Sequence, residues 1–170
     1  FYATLGMPMA MWADRNNRRN LISFSVFLWS LMTALCAAAT NFIQLLLLRI
    51  GVGVGEAGSN PPSHSMIADL YPPERRSTAM AIFGTGINWG ILIGFLVGGW
   101  INEWYGWRVA FLVVGLPGVL LALIVQLTVK EPPRGYSEAI KTEVKPPSFW
   151  TVARFMWSSP VLRHIVIAGA

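Results

Sequence analysis

Apolar residues fill most of this chain in blocks of about twenty, the length at which a helix crosses a bilayer. The pattern predicts helices over Leu21 to Thr40, Phe42 to about Leu70, Ser77 to Ile101 and Val109 to Val129. A further helix ends in Phe1 to Ala13, and another starts in Val161 to Ala170. Polar segments separate the blocks. "ADRNNRRN" holds Asp14, Arg15, Arg18 and Arg19, and "ADLYPPERRS" holds Asp69, Glu74, Arg75 and Arg76. Lys130 to Pro160 carries Lys130, Arg134, Lys141, Lys145 and Arg154. The Thr40-Asn41 connection is so short that the helices it joins must be antiparallel neighbours. Alternating crossings then gather the three basic segments on one side, opposite Thr40-Asn41 and "NEWYGWR" with its Glu103 and Arg108.

Composition turns these blocks into membrane spans. Of the residues, 54% are hydrophobic and 12% charged, against about 25% charged in a soluble domain. The positive mean hydropathy agrees, and the expected fold class is an all-α, multi-pass membrane protein. Trp100, Trp104, Tyr105 and Trp107 lie where an interfacial aromatic belt is expected. The net charge of +5 does not point to nucleic acid, because the basic residues fall between apolar runs rather than on one face. The positive-inside rule places them in the cytoplasm and the chain in the inner or plasma membrane. Cys36, alone in an apolar run, offers no disulfide or metal framework and reads as a small buried residue. No nucleophile elbow or metal-binding His cluster suggests an enzyme, and no cofactor or metal is expected.

Phe1 starts mid-helix without the features of a signal peptide, and "VLRHIVIAGA" is half a span, so the chain reads as a fragment of something longer. The expected organisation is a partial transmembrane bundle over 1–129, a cytoplasmic linker over 130–160 and the start of a second bundle from 161. "KEPPRG" and "KPPS" interrupt any helix in the linker. "SFWTVARFMWSSP" is apolar enough around Arg154 to lie in the membrane interface or to pack on a neighbouring bundle.

Gly53, Gly55 and Gly58 match a dinucleotide fingerprint literally, with Asp69 at a tolerable distance. The apolar run nevertheless continues past them, where that motif needs a strand followed by a soluble helix. The Gly51–Gly55 spacing suits close approach of two helices instead. Gly86, Gly90, Gly94 and Gly98 recur every four residues in the following span. Two adjacent small-residue helices imply tight interhelical packing.

Arg49 and Glu56 are harder to explain by packing, since ionisable groups inside a span are costly and face a bundle interior or an aqueous cavity. Seven residues apart, they share a helix face about 10 Å apart along the axis. Arg49 suits anchoring an anion by its planar fork, and Glu56 suits binding a proton. The alternative is an ion pair to another helix. Ser59, Asn60, Ser63, His64 and Ser65 make the rest of this helix polar, and Pro61-Pro62 bends it, as a gated cavity requires. His64 and Asn88 are read either as cavity groups or as hydrogen-bonded structural residues. A non-transporting membrane receptor or scaffold has little need for Arg49 and Glu56 at that depth.

"AMWADRNNRR" resembles the loop between helices two and three of the major facilitator superfamily, with Asp14, Arg15, Arg18 and Arg19 matching and Ala10 and Asn17 where glycine is usual. "DLYPPERR" resembles the end of helix four through Asp69, Pro72 and Arg76. "RIGVGVGEAG" is similar to its arginine motif, and "GILIGFLVGG" to the helix-five antiporter pattern, with Phe95 in place of its proline. "GVGEAGSNPPSHS" and "VKEPPRG" resemble the Spinster-like branch and its bacterial members. The resemblance implies the end of helix two to the start of helix seven of a twelve-helix carrier, monomeric when complete. It implies a cytoplasmic gate network over Asp14, Arg15, Arg18, Arg19, Asp69 and Arg76. It also implies proton coupling at Arg49 and Glu56 and a lysolipid-like substrate, while anion symporters of the superfamily with a similar Gly-Glu-Ala-Gly element make small organic anions the alternative.

Overall fold

A computed structural model describes residues 2–137 and 149–168, all of the regular structure there being helical. The helices are α1 (Tyr2–Arg15), α2 (Arg18–Leu35), α3 (Phe42–Ala57), α4 (Asn60–Leu70), α5 (Pro73–Tyr105), α6 (Trp107–Thr128), α7 (Phe149–Ser158) and α8 (Pro160–Ala168). A 3-10 turn, Cys36–Ala38, prolongs α2. Four spans, Arg18–Ala38, Phe42–Leu70, Pro73–Tyr105 and Trp107–Thr128, are long and apolar enough to cross a membrane. The expected linker residues Lys141 and Lys145 lie outside the described residues.

Local chemistry sets the helix ends. Asn17, where glycine is usual in the motif, caps α2 by accepting from the Asn20 backbone N–H at 2.9 Å. Asn41 caps α3 in the same way through the Gln44 N–H, and Gln44 Oε1 reaches back to the Thr40 N–H at 2.8 Å. That is a capping-box exchange shifted by one residue. The predicted single helix from Phe42 to Leu70 is two helices. α3 tightens into i−3 hydrogen bonds at Gly58 and Ser59, and Pro61 and Pro62 fall in the first turn of α4, where their missing N–H groups cost nothing. Gly106, at φ +80°, makes the one-residue turn between α5 and α6, a conformation that favours glycine.

α2 is the hub, packing most extensively on α6 and then on α3, while α5 leans on α6, and α1 sits against α3 and α4. Small residues set these contacts. A Cβ added at Gly55 would lie 2.8 Å from the Trp29 backbone nitrogen, and one at Gly58 would meet Ser25 Oγ. A Cβ at Gly51 would press on Met32 at 3.0 Å. On the other flank, Gly115 abuts the backbone of Ala34, and Gly118 abuts Ser30. Close backbone approach of this kind gains van der Waals contact without a side chain in the way.

The second glycine set behaves differently. Gly86, Gly90, Gly94 and Gly98 have nothing within 4 Å of an added Cβ, and no residue of α5 is buried. The α3 glycines are used against α2, whereas among the described residues the α5 stripe meets no neighbour.

Candidate functional site

The face of α3 that turns away from α2 carries Arg49 and Glu56, both exposed. The packing glycines fix this orientation: with Gly51, Gly55 and Gly58 against α2, other faces of α3 are left open. Neither residue forms an ion pair among the described residues. The alternative of a pair to another helix therefore has no partner among them. Arg49 borders a cavity of about 290 Å³ with Thr33 of α2, Gly98 and Asn102 of α5, and Trp107 and Phe111 of α6. It is the cation of this recess, beside an amide and aromatic faces. Glu56 lies two turns further on, next to the α3–α4 break.

The other expected cavity residues follow that break. Ser63 donates its hydroxyl to the Ser59 carbonyl at 2.7 Å, the same carbonyl that accepts its backbone N–H at 3.1 Å. His64 is exposed and meets Phe83 of α5 edge-on, with ring centroids 5.4 Å apart. Asn60 is half-buried, and Asn88 is exposed on α5. The structure thus sets Arg49, Glu56 and His64 along one kinked span, with Asn88 on a neighbouring helix that touches this span through α4.

At the charged end, three chain connections converge on Arg18, which is 1% exposed. Its Nη1 donates to Asp69 Oδ2 at 2.5 Å and to Ser65 Oγ at 2.9 Å. Its Nε donates to Glu131 Oε1 at 2.8 Å, and its Nη2 to the Pro132 carbonyl at 3.0 Å. One planar fork therefore clamps α2, α4 and the segment after α6, a geometry that lysine lacks. The second oxygen of Glu131 accepts the Arg19 backbone N–H at 2.8 Å. Burial alone would raise the Glu131 carboxyl, but the Arg18 hydrogen bond, then the Arg19 N–H and the Arg18 charge, hold it below the ordinary carboxylate range.

Of the six residues expected in this network, the structure brings Arg18 and Asp69 into direct contact. Arg76 joins at its edge, donating to the Ala68 carbonyl at 2.8 Å. Arg19 takes part through its backbone, while its side chain turns to Asn20. Asp14 and Arg15 are exposed, and among the described residues no hydrogen bond or ion pair ties them to the other four. The reason is that they end α1, outside the wedge between α2 and α4.

Sequence reasoning missed two members, Glu131 and Arg134. Arg134 donates to the carbonyls of Ala13 at 2.9 Å and Asn16 at 3.1 Å, and the Gly135 N–H donates to Asp69 Oδ1 at 3.0 Å. Their signal was a lone acid and an arginine bracketing two prolines just past a span, "KEPPRG", but its partners lie over a hundred residues away. At the opposite end Arg108 donates to the Ala39 carbonyl at 3.0 Å and lies 4.2 Å over the Trp107 ring. Among the described residues no group of three or more His, Cys, Asp or Glu is arranged to hold a metal.

Comparison with known proteins puts this geometry in context. The sequence model described as "Major Facilitator Superfamily" matches residues 1–170. The chain is 38% identical over 128 residues to an "MFS-type efflux pump" of Mycolicibacterium smegmatis, covering 75% of this chain and 30% of that protein. It is 36% identical over 132 residues to a "Probable galactarate/D-glucarate transporter" of Bacillus subtilis, covering 74% and 29%. A solved bacterial homologue of the human lysosomal transporter Spinster, inward-facing and unoccupied, matches with a TM-score of 0.70 and 39% identity over 94% of this chain and 39% of its own. The chain thus spans about a third of the length of the curated relatives it matches.

Proposed function

This chain belongs to the Major Facilitator Superfamily, and we propose that it forms part of a proton-coupled secondary active transporter working by alternating access. The substrate in this reading is lysolipid-like or otherwise amphiphilic, anionic or zwitterionic. The observation that carries the reading is the pair Arg49 and Glu56, on the open face of one span with no counter-charge among the described residues. Uncompensated charge at that depth is expensive unless a solute and a proton supply the missing partners. Arg49, beside Asn102 and the aromatic faces of Trp107 and Phe111, takes the anionic headgroup; the apolar recess takes hydrocarbon.

Glu56 carries the proton in this scheme, and His64 and Ser63 extend the polar path toward the charged end. The Arg18–Asp69–Glu131 clamp lies on the cytoplasmic side and holds the helix ends of this bundle in one arrangement, as a gate requires. The proposed membrane is the cell membrane. Small organic anions are the second reading, favoured by the same unpaired arginine and by the likeness to the Bacillus subtilis protein.

The test is uptake by the full-length protein in liposomes under a proton gradient, offering a lysophospholipid or a dicarboxylic sugar acid, with Glu56→Gln beside wild type. Gradient-driven uptake that Glu56→Gln uncouples, while exchange survives, supports the reading and selects the substrate class. A gradient response unchanged in Glu56→Gln removes Glu56 from coupling, and no transport of either compound removes the substrate assignment.

A further inference from the structure

On the far side of α2 from Arg49, the bundle has a second recess that the transport reading does not use. α2 and α6 together line a groove of about 390 Å³, walled by Phe24, Phe27, Leu120 and Leu123 and bounded at its charged end by Asn20 and Gln126. Phe24, Leu120 and Leu123 are each more than half exposed, so both walls face the bilayer. The groove is apolar along the spans and polar only at the end where the arginines lie.

That end is built to hold negative charge. The Arg19 Nε and Nη2 groups and the Gln126 Nε2 all donate to Asn20 Oδ1, at 3.3, 3.1 and 3.1 Å. This fixes the guanidinium beside the groove and leaves Arg19 Nη1 and Asn20 Nδ2 as donors without an acceptor among the described residues. Glu131 does not neutralise Arg19, because its two oxygens are taken by Arg18 Nε and by the Arg19 backbone N–H. About 4.5 Å deeper along α2, Ser23 in the wall keeps a buried hydroxyl with no hydrogen-bond partner among the described residues. An unmade hydrogen bond there is costly, and a χ1 rotation would offer the hydroxyl to an acceptor in the groove.

A fixed cation, a neighbouring amide donor, a hydroxyl one helical step deeper and then an apolar trough follow the order of phosphate, ester and acyl chain in a membrane lipid. We propose that the α2–α6 groove holds one anionic phospholipid, its phosphate on Arg19 and Asn20 and an acyl chain between Phe24, Phe27, Leu120 and Leu123. Charge complementarity favours an anionic lipid: in a zwitterionic one the headgroup ammonium competes with Arg19 for the phosphate, and an apolar helix offers no anion at all. The inference rests on the spans lying in a membrane and is independent of what the protein carries.

The experiment places the full-length protein in phosphatidylcholine vesicles containing a small fraction of phosphatidylglycerol with a photoactivatable group on one acyl chain. After illumination, labelled peptides are mapped by mass spectrometry. Labelling concentrates on the α2 and α6 peptides bearing Phe24, Phe27 and Leu123, drops about tenfold in Arg19→Gln, and about fivefold in Ser23→Ala. Leu120→Trp, an exposed position that the larger ring fills, abolishes it. Photoactivatable phosphatidylcholine labelling the same peptides equally, labelling unchanged in Arg19→Gln, or cross-links between two copies through this groove would each overturn the proposal.

Discussion

Arg18 at the first turn of α2 and Asp69 at the last turn of α4 are joined by a 2.5 Å ion pair, although 51 residues separate them. Because the same guanidinium also holds Glu131, removing it leaves two partly buried carboxylates without a cation. Arg18→Ala is expected to destabilise the full-length protein by about 3 kcal/mol, read as a fall in the thermal midpoint in detergent. Arg18→Lys recovers only part of this, since one ammonium cannot serve Asp69, Glu131 and the Pro132 carbonyl together. A midpoint equal to wild type in Arg18→Ala would show that the clamp carries no stability.

The Glu131 carboxyl gives this clamp a pH dependence of defined sign. Its folded value is depressed by Arg18 and the Arg19 N–H despite burial, so its contribution is complete above the ordinary carboxylate value of about 4.3. It is lost as pH falls through the folded value. The stability gap between wild type and Glu131→Gln should stay constant from neutral pH down to about 5 and narrow below that. A gap that widens on acidification contradicts the assignment.

The α2–α6 contact separates two kinds of glycine. An alanine Cβ at Gly115 would lie 2.6 Å from the Ala34 backbone nitrogen, which cannot turn aside. Gly115→Ala is expected to cost about 1–3 kcal/mol by overpacking. At Gly118 the obstacle is the Ser30 side chain, Oγ and Cβ, with its Cα at 4.0 Å. Gly118→Ala should therefore be rescued by Ser30→Gly, and denaturant unfolding of the double-mutant cycle should show coupling above about 0.5 kcal/mol. Simple additivity would mean that the helices shift apart instead.

Asn17→Ala removes the α2 cap and leaves the Asn20 N–H without its side-chain acceptor. The expected loss is about 1 kcal/mol, and it should fall first on the protection of the α2 first-turn amides against hydrogen exchange. Uniform protection changes across the bundle would place the effect elsewhere.

The spans were legible because a crossing needs about twenty predominantly apolar residues, and the bend because Pro61 and Pro62 interrupt a helical ladder; that a new helix starts there was not. The gathering of charge at one end followed from counting crossings, and the Arg18–Asp69 pair agrees with it. Asp14 and Arg15 were grouped with that pair by motif, yet they project from a different helix end.

The chain's own order of residues determined where the spans lie, where helices cap and which residues share a face, because those depend on propensity, periodicity and hydrogen bonds within a few residues. Only the tertiary structure decided which face meets a neighbour. Periodicity gives Gly51–Gly55 and Gly90–Gly94 the same spacing, but α2 covers the first pair and leaves the second open. Likewise, Glu131 joins Arg18 across 113 residues, because a salt bridge requires proximity in space, and helix packing alone sets that distance.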